Sequence, residues 1–324
     1  LSVARVETSE LMAGVRSRSP RALGRAISIV EDGGSTAREL MAAFASIPAN
    51  ASVVGITGSP GVGKSTTTSA LINYHRRAGR SVAVLACDPS SPFSGGALLG
   101  DRVRMQEHFL DSGVYIRSMS SRGHLGGLSA STPQAARLLD AAGFDIVIIE
   151  TVGVGQSEVE VAAAADTTLV LLAPGMGDGI QAVKAGILEV GDIFVVNKAD
   201  RDGAHETVRE LRHALSLAAD VRARPAEPDE WVPPILLTVA STGQGIAEVA
   251  AAVAAHAQWL VSTEPGRQRK ARRAEAELEA VLLAELRARA GAFRNDPEFR
   301  RLAAEVAEGL RDAYSAAEVL VSRL

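Results

Sequence analysis

The run Gly58-Ser-Pro-Gly-Val-Gly-Lys-Ser65 has the spacing G-x-x-x-x-G-K-[ST]. Residues of these types at this spacing bind a polyphosphate. A loop of Gly58, Ser59, Pro60, Gly61, Val62 and Gly63 is small enough for backbone N–H groups to close around phosphate oxygens. Lys64 then reaches the β and γ phosphates, Ser65 offers its hydroxyl to Mg²⁺, and Thr66 continues into the helix that the loop opens. A second group, Asn197-Lys-Ala-Asp200, fits N-K-x-D. The Asp200 carboxylate can accept both the N1–H and the 2-amino group of guanine, and adenine has no such donor pair. Asn197 contacts the base edge or braces the loop, and the stem of Lys198 covers the ring face. Together the two motifs select GTP over ATP.

Between them stands Glu150-Thr-Val-Gly153, where ordinary small GTPases carry D-x-x-G. A carboxylate at this place holds Mg²⁺, mostly through water, and Gly153 can donate its N–H to the γ-phosphate. Glu150 is one methylene longer than Asp and can do the same work. The water-orienting Gln that usually follows the Gly is replaced by Val154, and the nearest amide is Gln156. Hydrolysis by the isolated chain is therefore expected to be slow. Asp88, in Cys87-Asp-Pro-Ser-Ser91, and Asp101, in a Gly-flanked stretch, lie where a Mg²⁺-sensing switch would be. Arg122 and His124 sit in a Gly-rich loop, where a lone His is more often structural.

These residues need a scaffold of strands ending in loops. Apolar runs of strand length occur at Val53–Thr57, Val82–Cys87, Ile146–Glu150, Leu169–Ala173, Ile193–Asn197 and Ile235–Val239. They are nearly continuous in Val, Ile and Leu, as strands covered on both faces should be. Helical patterns fall between them at Lys64–Ala78, Pro133–Ala142, Ile180–Val190, His205–Ala219 and Ile246–Val261. The alternation predicts an α/β fold of the P-loop NTPase type: a mostly parallel sheet, helices on both faces, and ligands at the carboxyl ends of the strands. Residues 1–45 read as a helical segment, 46–264 as the GTPase domain, and 265–324 as a strand-free helical arm. Leu278, Val281, Leu282 and Leu286 recur along that arm at helical spacing.

Composition narrows the partners. The net charge of −4, from 34 basic and 38 acidic residues, gives no electrostatic case for nucleic acid or an anionic membrane. Aromatics at 4% are too few for base stacking. The single cysteine, Cys87, rules out an intramolecular disulfide. No uninterrupted apolar stretch is long enough to span a bilayer, so a cytoplasmic setting is expected.

The segments Cys87 to Met105, Glu150-Thr-Val-Gly-Val-Gly-Gln-Ser-Glu158 and Asn197-Lys-Ala-Asp200 resemble those of the methylmalonyl-CoA mutase-associated GTPases. That family is also described as arginine/ornithine transport-system ATPases or kinases, and it groups with metallocenter-assembly GTPases that use Glu in the second motif. The likeness runs over nearly the whole chain. It implies a homodimer, joined by its C-terminal helices, that chaperones an adenosylcobalamin-dependent acyl-CoA mutase. GTP hydrolysis would gate loading of cobalamin into the mutase and removal of damaged cofactor. It also implies that Lys64, Asp88, Asp101 and Glu150 surround Mg²⁺, and that 175–184 form a third mobile segment answering to the mutase. One departure is Val239, where the family usually has Ser. Ala240 follows it, and its backbone N–H could still reach guanine O6.

Two other functions compete. A kinase of an arginine/ornithine transport system fits poorly with a guanine-specific site and no evident phosphoacceptor pocket. A metal-insertion GTPase would be expected to carry a His- or Cys-rich tract, and six scattered His with one Cys supply none.

Overall fold

The computed structural model describes residues 2–48, 50–88, 106–108, 110–120, 131–151, 157–175, 188–221, 229–292 and 296–323. Its centre is a sheet of β1 (Ser52–Thr57), β2 (Val82–Asp88), β3 (Val114–Ser120), β4 (Ile146–Thr151), β5 (Thr167–Leu172), β6 (Ile193–Asn197) and β7 (Ile235–Thr238). The strands lie in the order β3-β2-β4-β1-β5-β6-β7, and every pair is parallel. After β1 the chain builds one half of the sheet, then crosses to build the other. That reversal opens a crevice at the carboxyl ends of β4, β1 and β5, the place where such sheets bind ligands.

The helices are α1 (Ser2–Arg16), α2 (Pro20–Asp32), α3 (Gly34–Phe44), α4 (Lys64–Arg77), α5 (Thr132–Ala141), α6 (Ser157–Ala164), α7 (Ala204–Val221), α8 (Ile246–Ser262), α9 (Glu264–Ala292), α10 (Pro297–Ala307) and α11 (Ala313–Val321). Of the helix expected over Ile180–Val190, the described residues hold one turn, Leu188–Val190. Alternate strand residues feed cores on the two faces of the sheet, with Val170, Leu172 and Phe194 forming a smaller third cluster with Leu211 of α7. Ala83, Leu85, Val147 and Ile149 pack with Val15, Leu23, Ile27, Leu40 and Phe44 of α1–α3 and with Leu138 and Leu139 of α5. Val54, Ile56, Val84, Ile148, Leu169 and Val195 pack on the other face with Leu71 and Ile72 of α4 and Val249 and Val253 of α8. Each fully buried side chain of this size is worth about 1.5–3 kcal/mol, so the continuous apolar strands follow from two covered faces.

One strand escapes the sequence reading. β3 (Val-Tyr-Ile-Arg-Ser-Met-Ser) is an edge strand, paired on one side only, to β2. Its Arg117 reaches α2, donating to Ser28 Oγ at 2.9 Å and pairing with Glu31 at 3.1 Å. A strand tied to a neighbour by charge need not show the apolar run that marks a central strand.

The chain divides into two compact units, 1–271 and 272–324. The helices of residues 1–45 share a core with the sheet of the first unit. The second unit holds the later part of α9 with α10 and α11, and no strand among its described residues. Asp296 caps α10 by accepting from Glu298 N at 2.8 Å, and Asp312 caps α11 by accepting from Tyr314 N and Ser315 N at 3.0 Å. On α9, Leu278, Val281, Leu282 and Leu286 are 70, 42, 55 and 39% exposed.

Candidate active site

β1 ends at Thr57, and the phosphate-loop residues lead directly into α4 at Lys64. Two glycines are required by the backbone. Gly58 has φ 137° and a Cβ there would strike the Leu171 carbonyl oxygen, while Gly63 has φ 100° and a Cβ would strike the Asn197 amide. The Lys64 ammonium lies within the loop, donating to Gly58 O at 2.7 Å and Ser59 O at 3.2 Å. These carbonyl bonds hold the cation where phosphate oxygens can replace them.

Because β4 is hydrogen-bonded beside β1, Ile56 is in register with Glu150. The Glu150 carboxylate is 2% exposed. Ser65 Oγ donates to its Oε1 at 2.6 Å, and Thr68 Oγ1 donates to its Oε2 at 2.7 Å. Ser65 and Thr68 are three residues apart on α4, hence on one helix face. Thr68 was not foreseen. The signal for it was present: a hydroxyl one turn beyond the P-loop serine, opposite a carboxylate one methylene longer than usual.

At the other end of the crevice, β6 delivers Asn197, 3% exposed. Its Nδ2 donates to Val62 O at 2.8 Å, and its Oδ1 accepts from Thr238 Oγ1 at 3.0 Å and Ala240 N at 3.1 Å. Of the two roles open to it, Asn197 takes the bracing one here, tying the phosphate loop to the loop after β7. The Ala240 N–H is engaged by that brace. Val239 bridges to Gln244, its N–H donating to Gln244 O at 3.0 Å, which closes the loop into a turn. Lys198 sits at φ 56°, an uncommon conformation for a non-glycine residue, and its Nζ donates to Gly61 O at 2.6 Å. Its stem thus lies across the loop, and Asp200 beyond it is exposed.

Not every expected site residue falls within the described structure. Asp101, Gly153, Val154, Gln156, Arg122 and His124 lie outside the described residues, as does most of 175–184. Asp88 ends β2, in register with Ser120 of β3, and its side chain is outside them as well. Among the described residues no cluster of three or more His, Cys, Asp or Glu is placed to hold a metal.

A parallel sheet with this order, a glycine-bound phosphate loop and an N-K-x-D strand end define a P-loop GTPase. More particularly, residues 23–294 match the family model of the methylmalonyl-CoA mutase-associated GTPase MeaB, and the chain belongs to that family. It is 41% identical to a GTPase-named protein of Pyrococcus abyssi over 97% of this chain and 96% of that one. It is also 41% identical to the mitochondrial methylmalonic aciduria type A homolog of Mus musculus, over 60% of this chain and 46% of that one. Among solved structures it resembles an LAO/AO transport system kinase, with TM-score 0.65, 26% identity and coverage of 98% and 97%. The enzyme is a GTPase. No helix of the described residues is long and apolar enough to cross a membrane.

Proposed function

We propose that this GTPase acts as a nucleotide-driven chaperone of an adenosylcobalamin-dependent acyl-CoA mutase, in the cytoplasm, as a homodimer. The observation that carries the reading is the match of residues 23–294 to a family described as mutase-associated. The name of the mouse relative, which refers to methylmalonic aciduria, points the same way.

The chemistry assigned to the site is GTP hydrolysis. Water attacks the γ-phosphorus, the bond to the β-γ bridging oxygen breaks, and GDP and inorganic phosphate leave. Lys64 exchanges its two carbonyl partners for β- and γ-phosphate oxygens and stays with them as charge moves to the leaving oxygen. Ser65 Oγ and the Glu150 carboxylate are hard oxygen donors 2.6 Å apart, a donor pair suited to Mg²⁺. When bound, that ion would neutralise phosphate charge. Thr68 keeps Glu150 Oε2 fixed while Ser65 turns from the carboxylate. Asp88 and Asp101 are proposed to complete the metal's surroundings, with Gly153 on the γ-phosphate and Gln156 as the candidate water-orienting amide. Asp200 reads the guanine edge, with Asn197, Val239 and Ala240 framing it.

Val154 occupies the usual water-orienting position, so the constellation is incomplete without a partner. Completing such a site in trans raises turnover by about 10³–10⁵ in known GTPases. The proposed partner is the mutase, docking where segments 88–104, 153–160 and 174–184 can sense the γ-phosphate. Linkage then requires GTP and mutase to strengthen each other's binding by one factor. The experiment measures steady-state GTP turnover with and without the cognate mutase, and mutase affinity with a GTP analogue against GDP. Faster turnover and tighter analogue-state binding are expected. Unchanged turnover with equal affinities removes the chaperone role and leaves the GTPase without a client.

A further inference from the structure

A cavity of about 310 Å³ adjoins the nucleotide crevice, between α4 and the loop after β7. Thr66, next to the phosphate-loop serine, and Ala240, whose N–H is on Asn197, belong to its walls. Thr66, Ala70, Asn73 and Arg77 recur along α4 at helical spacing, so one stripe of the helix makes one wall. Residues 241–243 face that stripe. From Thr66 to Arg77 the helix rises about 16 Å, and an arginine side chain leans back toward the amino end and shortens the gap.

The wall carries two charged residues, Arg77 and Glu107. Arg77 is exposed and pairs with no carboxylate among the described residues. Beside it, Asn73 and Tyr74 are exposed too, and their amide and hydroxyl have no hydrogen-bond partner among the described residues. A lone surface arginine is ordinary. Here a guanidinium and two neutral donors stand together on a cavity that begins at the phosphate loop. The Glu107 carboxylate is already engaged: Ser69 Oγ donates to its Oε1, and His108 Nε2 lies 3.3 Å from it.

Charge and position together set the ligand. A guanidinium flanked by neutral donors matches a phosphoryl group. A small free anion gains little, because Glu107 repels it and solvent screens Arg77. An anion carried in by a nucleotide already bound next door arrives at high effective concentration. The part of a nucleotide between its base and its 5′-phosphates is the ribose, and Ala240 and Thr66 stand at those two ends.

We infer that this cavity receives a second phosphoryl group on the ribose of a bound guanine nucleotide. The ligand class is guanosine phosphorylated on both the 5′- and the 3′-hydroxyl, with Arg77, Asn73 and Tyr74 holding the 3′ group. The site presumes guanine framed by Asp200 and Ala240, as proposed above, and adds a contact that GDP and GTP do not make. Such a nucleotide with a 5′-diphosphate occupies the crevice without a γ-phosphate, so it competes with GTP and holds off turnover.

The test is calorimetric titration of the full chain with GDP and with guanosine 5′-diphosphate 3′-diphosphate, with Mg²⁺ present and at matched ionic strength. The 3′-substituted nucleotide should bind about tenfold more tightly than GDP, the worth of a charge-assisted contact at a wet site. Arg77→Gln, a good helix former at an exposed position, should bring the two nucleotides to equal affinity and leave GDP as it was. Glu107→Gln should widen the preference, since a like charge is gone. Wild-type protein that binds both equally overturns the inference while leaving the guanine site intact. A preference that survives Arg77→Gln overturns it as well. Wild-type protein that binds neither nucleotide breaks the guanine-site reading itself, and this one with it.

Discussion

At the scale of single residues, the proposed guanine specificity and Mg²⁺ dependence are assigned to two carboxylates with opposite surroundings. Asp200 is exposed and is held in place by the backbone around it, with Ala199 N donating to Thr238 O at 3.0 Å. Asp200→Asn replaces one acceptor with a donor, so GTP affinity should fall by about 1.5–3 kcal/mol, the worth of hydrogen bonds to a charge, while xanthine nucleotide gains. Calorimetry with GTP, XTP and ATP measures this, and wild-type protein binding ATP as tightly as GTP contradicts the base-reading role. Glu150 is buried, and its extra methylene gives it one more torsion to fix. Thr68, 2.7 Å from Oε2, removes that freedom. Thr68→Val keeps the shape and loses the bond. The Mg²⁺ concentration for half-maximal retention of a fluorescent GDP should rise about tenfold, Thr68→Ser should restore it, and affinity in EDTA should stay as it was. A Val variant with wild-type Mg²⁺ dependence would show Thr68 to be packing alone. Lys64→Ala should abolish turnover, since its ammonium is the cation held on Gly58 O and Ser59 O, whereas Lys198, the other cation on the loop, is held on Gly61 O.

At the scale of elements, what could be read in advance was what periodicity and spacing encode. The central strands stood out because both faces are buried. The phosphate and base motifs stood out because their residue types are fixed by the ligand. The edge strand β3 did not, because Arg117 and its pairing to Glu31 replace an apolar signal with a tertiary contact. The Asn197 brace was one of two open options, since choosing needs the distance between loops 135 residues apart. A network under β5 and β6 was also invisible to spacing. His256 of α8 is fully buried, shares a hydrogen bond of 2.8 Å with Thr167 Oγ1, and stacks on Trp259 at 5.3 Å. Burial lowers its pKa to about 3, with Arg269 adding to the effect. Asp192 beside it is raised to about 6 by burial, which outweighs the Arg269 guanidinium at 2.6 Å. The two act in opposite directions. Between about pH 6.5 and 3 the unfolded His256 holds a proton that the folded one lacks, so its contribution is full above pH 6.5 and is lost on acidification. Asp192 holds its proton when folded between about pH 4 and 6, so it partly offsets that loss. His75, lowered to about 4, adds to the histidine side. The melting temperature should therefore fall from pH 7 to pH 5. In His256→Phe, which keeps a ring against Trp259, it should fall less steeply. Equal slopes by calorimetry would show that His256 does not set the acid limit.

At the scale of the whole molecule, the second unit shows an apolar face that its own helices leave open. Leu278 and Leu282 are one turn apart, Val281 and Leu286 flank them, and all four are exposed on a helix otherwise rich in Arg, Glu and Ala. A contiguous apolar stripe in water favours association, because covering it recovers roughly 25 cal/mol for each Å² removed from solvent. A second copy of the chain brings the same stripe, and two copies related by a twofold axis can cover both at once. The buried side chains of this unit are few, Leu302 and Ala316 among the described residues, so a small core leaves association as its main route to burying α9. Leu278→Glu with Leu282→Glu puts like charges in the middle of the proposed contact. Exposed helix positions tolerate Glu well, so the fold should persist. Light scattering across a concentration series should find the wild-type chain dimeric and the double variant monomeric, with nucleotide binding retained in both. A double variant that stays dimeric, or a wild-type chain monomeric at every concentration, removes the arm as the dimer contact.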